Sequence, residues 1–240
     1  MRASFLNTIG AVAGIVLAGA MLVRGDILYQ NTTVDTGINL NFANNQQIGQ
    51  QIWLGSATPE YLTNFSFEYY SPVQAANFNG NVTMDVILYA NDSPYAFHGY
   101  TIPGTILYNS GAILLATPFS QTGLTVATAI FDLSDLLNGV GPGAVGMTQL
   151  LPTNFTFSVT FSGLGNGDSV GLENYGYPTV GGNYGDYWFY GNGWELLTNA
   201  TPTSFGAEFT GSTTIPEPTV LAMGALGAVM IAGFVRRYRK

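Results

Sequence analysis

The sequence contains no cysteine and a single histidine, and each shortage removes a class of site. Without cysteine the chain has neither a disulfide framework nor a thiolate zinc site, so packing alone must stabilise its fold. A hydrophobic content of 47% is enough for an ordinary core. His98 lies in a loop-like segment, and no G-x-S-x-G elbow accompanies it, which argues against a Ser-His-Asp triad.

Basic residues are also absent from the whole body of the chain. All six Lys and Arg residues lie near the two ends, whereas all fourteen Asp and Glu residues fall between Asp26 and Glu217. A body with this charge is a poor partner for nucleic acid and for anionic lipid, and we predict that it binds neither. An acidic surface also keeps an exported protein soluble, which is the simplest interpretation of the pattern.

The N-terminal segment, residues 1–25, has the pattern of a secretory signal peptide. Arg2 gives it a positive start, and an apolar stretch follows from Phe5 to Val23. Ala18-Gly19-Ala20 supplies small residues of the kind found at cleavage sites. We therefore expect the protein to be exported. An uncleaved signal anchor is the alternative.

The C-terminal segment, residues 213–240, combines three features in a fixed order. Pro216-Glu217-Pro218 comes first, and the uncharged stretch from Thr219 to Val235 follows. That stretch is at the lower end of what spans a bilayer as a helix. Basic residues come next and should stay cytoplasmic, which places the body outside the cell. The prolines keep the triplet extended and available to a processing enzyme just above the membrane.

A Pro-Glu-Pro triplet, an apolar helix and an Arg-rich end in this order resemble the PEP-CTERM sorting signal. The resemblance implies that an exosortase, a membrane-embedded sorting peptidase, handles the protein in bacteria that often make exopolysaccharide. It implies that Pro216, Glu217 and Pro218 are recognised. The residues that would fix the topology are the terminal arginines Arg236, Arg237 and Arg239. An ordinary tail anchor is the competing interpretation.

The body, residues 26–212, shows the pattern of strands and turns. Apolar residues alternate with polar ones at 65–69, 82–88 and 155–161, as in half-buried antiparallel strands. No long amphipathic helix is predicted, and 132–137 is expected to form a short helical turn. The prediction is all-β: a single antiparallel β-sandwich of the jelly-roll type, flanked by an N-terminal signal helix and a C-terminal transmembrane helix. Further strands are predicted at 47–54, 105–115, 124–131, 186–196 and 205–209.

An aromatic segment late in the body is the first candidate binding site. Aromatic faces stack on the apolar faces of sugar rings, while Asn and Asp side chains bond hydroxyl groups. The candidate sugar-binding residues are Tyr184, Tyr187, Trp188 and Trp194. The competing interpretation is that these rings are core, because alternate residues of a strand must point inward. The body, notably at 186–188 and 193–196, also resembles the uncharacterised globular regions that commonly precede PEP-CTERM tails, which implies a fold and no activity.

Calcium is the second candidate ligand. A body without Lys or Arg cannot pair its carboxylates internally, so a divalent cation with oxygen ligands would relieve their repulsion. Asp168 and Glu173 are the candidate ligands, although their spacing is not that of an EF-hand loop. No other cofactor is predicted.

Two patterns of enzymes are also present in the sequence. Residues 141–146 match G-x-G-x-x-G, but neither a preceding strand nor a following helix is predicted, so we interpret the match as a glycine-rich loop. Glu173, Asp186 and Glu195 are the carboxylates from which a glycosidase pair would have to come. The sequence alone does not show whether any two of them face each other.

These observations predict an exported structural or adhesive protein of the cell surface or extracellular matrix, without enzymatic activity. It would be sorted by an exosortase and anchored in the membrane at least transiently, with its body on the outer side. The alternative is a carbohydrate-binding module that recognises exopolysaccharide through the aromatic segment. A third hypothesis is that the protein is a secreted glycosidase.

Overall fold

Strands joined by turns make up nearly all of the regular structure in the computed structural model, which describes residues 25–71, 78–115, 126–147, 150–198 and 202–213. These residues belong to one compact unit that runs from Gly25 to Thr214. The predicted signal peptide lies outside the described residues, apart from Gly25, and so does the predicted sorting signal, apart from Thr213. Within the described ranges, no helix has the length and apolar character needed to cross a membrane.

The protein has sixteen described strands and one described helix. The helix, α1, spans Leu133–Asn138 and is the helical turn predicted from the sequence. The strands are β1 (Asp26–Asn31), β2 (Asp35–Asn41), β3 (Gln46–Trp53), β4 (Tyr61–Tyr70), β5 (Thr83–Ala90), β6 (Ala96–Phe97), β7 (Tyr100–Thr101), β8 (Ile106–Asn109), β9 (Ile113–Leu114), β10 (Val126–Phe131), β11 (Asn154–Ser162), β12 (Gly171–Tyr175), β13 (Gly182–Asn183), β14 (Tyr187–Tyr190), β15 (Trp194–Leu197) and β16 (Ala207–Ser212).

Two antiparallel sheets contain most of these strands. The first sheet has the order β1-β16-β4-β12-β2, and β10 also pairs with β4. The second sheet has the order β15-β14-β3-β11-β5-β8, with β13 paired to β3 and β9 paired to β5. A separate hairpin is formed by β6 and β7. All described pairings between strands are antiparallel, so the predicted all-β antiparallel class is confirmed.

The core receives aromatic residues from both sheets. Phe65 of β4 stacks on Phe209 of β16 with ring centroids 5.4 Å apart, and both are fully buried. Phe209 also makes edge contacts with Phe155 and Phe157 of β11, at 5.1 and 5.9 Å. The alternation in β4 and β11 explains this, because every second residue points toward the same face. The two sheets therefore share one hydrophobic core.

A network of buried polar side chains ties the chain before β16 to the second sheet. Gln50 of β3 donates from Nε2 to the Thr203 carbonyl at 2.7 Å and accepts from the Phe205 N–H at 2.8 Å. Asn183 donates to the hydroxyl of Tyr29 at 2.9 Å. Burial raises the pKa of Tyr29, so the hydroxyl stays protonated. Such a network fixes one arrangement of the strands, because each lost partner would leave a buried polar group unpaired.

Three predicted strands differ from the structure in instructive ways. The strand predicted at 105–115 is two short strands, β8 and β9, because Gly111 adopts a positive φ of 69° and turns the chain between them. The strand predicted at 186–196 is the hairpin β14–β15, which turns at residues 191–193. The strand predicted at 205–209 begins at Ala207 and continues to Ser212. Strands β1, β2 and β12 were not predicted, and neither were the two-residue strands β6, β7 and β13.

We expect Phe209→Ala to lower the free energy of unfolding by about 3–5 kcal/mol, because it removes a fully buried ring from contacts with both sheets. Chemical unfolding monitored by fluorescence measures the loss. Tyr177→Ala is the matched control, since Tyr177 is 77% exposed, and its effect should stay within about 0.5 kcal/mol. Equal losses in the two variants would contradict the assigned core.

Candidate functional site

The face of the second sheet that points away from the core carries polar and aromatic side chains. On β3 the core residues Ile48 and Ile52 alternate with Gln47, Gln51 and Trp53, which therefore lie on the opposite face. The same alternation operates on the neighbouring strands. We call this surface the outer face; its further side chains are those of Asn154, Thr156, Ser158, Asp85, Tyr89, Trp188, Tyr190 and Trp194.

Amide and hydroxyl groups on the outer face are joined by hydrogen bonds. Gln51 donates from Nε2 to Asn154 Oδ1 at 2.8 Å. Gln47 donates from Nε2 to the Ser158 hydroxyl at 2.8 Å and to the Tyr89 hydroxyl at 3.1 Å. The Thr156 hydroxyl donates to Asn91 Oδ1 at 2.7 Å. Gln47, Gln51, Thr156 and Ser158 are each less than one-tenth exposed, so these bonds pair polar groups that are buried within the outer face.

Aromatic rings lie beside these polar groups and contact one another edge to face. Trp53 is 5.0 Å from Tyr184, and Tyr184 is 4.3 Å from Tyr100, between ring centroids. Trp188 lies 6.5 Å from both Tyr100 and Trp194. Trp194 in turn contacts two further tyrosines. We call this group the aromatic cluster: Trp53, Tyr89, Tyr100, Tyr184, Trp188, Tyr190 and Trp194.

The structure places the four candidate sugar-binding residues on two different faces. Tyr184, Trp188 and Trp194 belong to the aromatic cluster, and Tyr184 and Trp194 are partly exposed. Trp188 is fully buried within it. Tyr187 does not belong to this group: it points into the core, where its ring contacts Phe205 at 6.1 Å. The alternation along β14 separates Tyr187 from Trp188, so Tyr187 has no ring face to offer at the outer surface.

Three members of the aromatic cluster, Trp53, Tyr89 and Tyr100, come from distant parts of the chain and were missed from the sequence. Trp53 ends β3 and is 38% exposed. Gly182 lies directly against its indole, where a Cβ would overlap the ring. The alternation in β3 was a usable signal for Trp53, because it follows Gln51 on the polar face. Tyr100 lies in the short hairpin β6–β7, and no sequence pattern indicates that this hairpin contacts β14.

The hairpin β6–β7 turns at His98 and Gly99, whose φ values are 50° and 85°. Two positive φ values in succession suit the tight turn of a two-residue hairpin. The His98 ring packs on Phe97 at 4.6 Å, so this histidine is a turn residue. The Tyr100 hydroxyl donates to Asp186 at 2.8 Å. Burial, followed by the hydrogen bond and charge of Asp186, raises the pKa of Tyr100 to about 12.

The two candidate calcium ligands have separate sets of partners. Asp168 accepts backbone N–H groups from Asn79, Gly80 and Gly165 at 2.7–2.8 Å, so both of its oxygens are engaged in holding two loops together. Burial tends to raise the pKa of Asp168, but these three donors together outweigh it and hold the pKa below its usual value. Within the described ranges, no three His, Asp or Glu side chains come together in a way that could hold a metal ion.

Glu173 lies in a group of acidic side chains on the first sheet. It is 2% exposed, and the Asp35 side chain is hydrogen-bonded to it. The hydrogen-bonding partners orient the amide of Asn39 with its nitrogen toward the Glu173 carboxyl. Burial, then Asp35, then the charge of Glu68 raises the pKa of Glu173 to about 7. Tyr175 donates its hydroxyl to Glu68, which gives that carboxylate a neutral partner.

The three carboxylates considered for glycoside hydrolysis do not form one group. Glu173 belongs to β12 of the first sheet, whereas Glu195 belongs to β15 of the second sheet and is exposed. Asp186 immediately precedes β14 and accepts the Tyr100 hydroxyl. The glycine-rich match at 141–146 follows α1 and forms a turn rather than a strand-to-helix connection, so it lacks the context of a dinucleotide site.

We expect the pH dependence of stability to reveal the proton on Glu173. The unfolded chain loses this proton near pH 4.5, whereas the folded protein holds it up to a pKa of about 7. Between these two values the folded state binds the extra proton, so the free energy of unfolding must decrease as the pH rises. The decrease should amount to roughly 1–3 kcal/mol in the wild type and should disappear in Glu173→Gln.

Chemical unfolding at a series of pH values from about 4 to about 8 measures this difference, because that range includes both pKa values of Glu173. Glu195→Gln is the matched control, because Glu195 is exposed and its substitution should leave the decrease in place. A Glu173→Gln profile that runs parallel to the wild type would show that Glu173 does not carry the proton.

Comparisons with known proteins assign neither a family nor a function to the chain. No protein-family model matches the chain, and no curated protein matches it.

Proposed function

We propose that this chain is an exported, non-enzymatic protein of the cell surface or extracellular matrix whose body binds exopolysaccharide through the aromatic cluster. The observation that carries the proposal is the combination, on one sheet face, of clustered aromatic rings with hydrogen-bonded amide and hydroxyl groups. This joins the adhesive role predicted from the sequence to the carbohydrate-binding alternative.

The architecture that would present this surface is a β-sandwich of the jelly-roll type. Support comes from the core, in which Phe65 and Phe209 of the first sheet contact Phe155 and Phe157 of the second. In such an arrangement one face of each sheet is buried against the other sheet. The other face of each sheet points away from the core, and on the second sheet that face is the outer face, where Tyr184 and Trp194 are the partly exposed candidate rings.

The chemistry of the outer face favours an uncharged sugar polymer. Aromatic side chains give a ligand large apolar contact areas at a small entropic cost, and the neighbouring amides can exchange hydrogen bonds with hydroxyl groups. No Lys or Arg lies between Gly25 and Val235, so the face has no cation to pair with a uronate or a phosphate. Asp85 and Asp186 would add repulsion toward such groups.

We expect Trp194→Ala and Tyr184→Ala each to lower the affinity for the exopolysaccharide of the producing cells by roughly tenfold, because each removes a partly exposed ring from the aromatic cluster. Affinity electrophoresis in gels that contain the polysaccharide measures the loss. Tyr95→Ala and Tyr177→Ala are matched controls, since both rings are more than two-thirds exposed, at 72% and 77%, and have no part in the cluster.

Circular dichroism of every variant serves to check that the sheets are intact. If the wild type migrates equally far in gels with and without polysaccharide, the binding function is refuted and a purely structural role is left. Equal losses in the cluster and control variants would mean that binding uses another surface.

Export and sorting are supported by the two ends of the sequence. An apolar stretch after Arg2 would direct export, and Pro216-Glu217-Pro218 followed by an uncharged stretch and Arg236 would direct sorting by an exosortase. A sorting peptidase would release the body from its anchor, so the polysaccharide-binding surface could act away from the membrane.

We expect the protein recovered from the cell surface and medium to end near Pro218. Intact mass spectrometry should find a species without the C-terminal apolar stretch and its arginines. If the only species retains Lys240 and remains with the membrane, the sorting proposal is wrong and the protein is an ordinary membrane-anchored protein.

A further inference from the structure

Two buried polar atoms on the outer face have no hydrogen-bond partner in the protein. They are Oε1 of Gln51 and Nε1 of Trp188. Gln51 is 4% exposed and Trp188 is 0% exposed, so neither atom reaches bulk solvent. A buried polar atom without a partner typically costs about 1–3 kcal/mol, and proteins satisfy most such groups. The described residues contain three other such atoms, in Asn31, Glu60 and Tyr108, but Gln51 and Trp188 are the two that lie on the outer face.

The two side chains are diagonal neighbours on the outer face, because Trp188 of β14 pairs with Gly49 of β3 and Gln51 lies two residues further along β3. The hairpin β6–β7, residues 96–101, contacts Trp188 through Tyr100. Tyr100 of this hairpin is 6.5 Å from Trp188 and 4.3 Å from Tyr184, between ring centroids. The Tyr184 N–H in turn donates to the Gln51 carbonyl at 3.5 Å, so the backbone of Gln51 lies next to the same ring. Tyr100 of the hairpin thus covers Trp188 and contacts Tyr184, the residue that is hydrogen-bonded to the backbone of Gln51.

The hairpin has the features of an element that opens easily. Each of its strands has two residues, and they form a sheet of their own rather than an extension of either large sheet. Its tip is exposed, and Phe97 is 43% exposed. Tyr100 attaches it to the residues around β14 through its ring contacts and its hydrogen bond to Asp186. Segments with so few buried contacts open at a small free-energy cost.

The unpaired atoms are complementary to a hydroxyl group. The indole N–H can only donate, and the amide oxygen can only accept, whereas a hydroxyl group does both. A sugar hydroxyl between them would satisfy both atoms at once. Tyr184 lies 4.3 Å from Tyr100 and Trp194 lies 6.5 Å from Trp188, between ring centroids, and these two partly exposed rings would contact the sugar ring.

We propose that the hairpin β6–β7 is a lid over a saccharide subsite, held closed by Tyr100, in which Trp188 Nε1–H and Gln51 Oε1 bind one hydroxyl group of an uncharged glycan. This inference rests on the proposed polysaccharide binding. It adds the class of ligand, the two atoms that recognise it (the recognition pair, Trp188 Nε1–H and Gln51 Oε1) and the hairpin that moves. The free protein keeps the lid closed. When a glycan binds, its hydrogen bonds to the two unpaired atoms offset the free-energy cost of opening the lid.

The recognition pair can be followed directly by NMR, because the chain has three tryptophans and therefore three indole N–H signals. The full chain in detergent, labelled with 15N-tryptophan, is titrated with fragments of the cells' exopolysaccharide, separated into neutral and polyuronate-containing fractions. Each signal is assigned with the corresponding Trp→Phe variant. The Trp188 signal should shift with the neutral fraction and stay in place with the polyuronate fraction.

Two substitutions should change the affinity in opposite directions. Trp188→Phe keeps an aromatic ring and removes the N–H donor, so we expect affinity for the neutral fraction to fall roughly tenfold. Tyr100→Phe keeps the ring and removes the hydrogen bond to Asp186, so we expect the affinity to rise about three- to tenfold because the lid opens more readily. Tyr177→Phe makes the same chemical change as Tyr100→Phe on a ring that is 77% exposed and outside the aromatic cluster, and it should leave the affinity within about twofold.

The outcomes separate this inference from the function on which it rests. If the wild type binds the neutral fraction while the Trp188 signal and the affinity of Trp188→Phe are both unchanged, the recognition pair is wrong and the polysaccharide-binding function stands. If Tyr100→Phe weakens binding, the lid is wrong. Tighter binding of the polyuronate fraction would overturn the ligand class. Binding of neither fraction by the wild type would refute the proposed function itself.

Discussion

The absence of Lys and Arg between Gly25 and Val235 is the constraint on which the rest of the structure depends. A carboxylate in this body cannot form an ion pair with Lys or Arg, so it needs neutral donors, open solvent or a proton of its own. Asp168 uses backbone N–H groups and joins two loops. Asp132 caps α1 in the same way, and Asp186 accepts a tyrosine hydroxyl from the hairpin. Acidic side chains thereby stabilise loops, a helix N-terminus and a short hairpin by accepting their hydrogen bonds.

Glu173 shows the other solution, which is to retain the proton. It is buried beside Asp35, and the charge of Glu68 lies near enough to raise its pKa further. Two carboxyl groups that share one proton form a stable hydrogen bond, whereas two carboxylates would repel each other. The same absence of cations bears on the ligand, since an anionic polymer would meet only like charges and dipoles on this protein. The charge of the body therefore links its internal hydrogen bonding to the ligand class proposed for its outer face.

The sequence was sufficient to predict the fold class and its most regular strands, because alternation in β4, β5 and β11 is a local property. It missed β2 and β12, which carry Gly37 and Gly171, because their pairing depends on partners far away in the chain. The candidate site divides in the same way. Tyr184, Trp188 and Trp194 are close in sequence and could be grouped, although not assigned to a face. Trp53 and Tyr100 join them through the sheet register and the hairpin, which no local pattern encodes.

Gln50 and Gln51 allow the structural and functional explanations of buried polar groups to be compared at adjacent positions. Gln50 points inward, where its amide nitrogen donates to the Thr203 carbonyl and its oxygen accepts the Phe205 N–H. Gln51 points outward, where its nitrogen donates to Asn154 and its oxygen has no partner. An amide needed only for stability gains from having both ends bonded, as at Gln50. Gln51 retains an open acceptor on the same face as the open donor of Trp188, and in the proposed subsite a bound hydroxyl group would satisfy both.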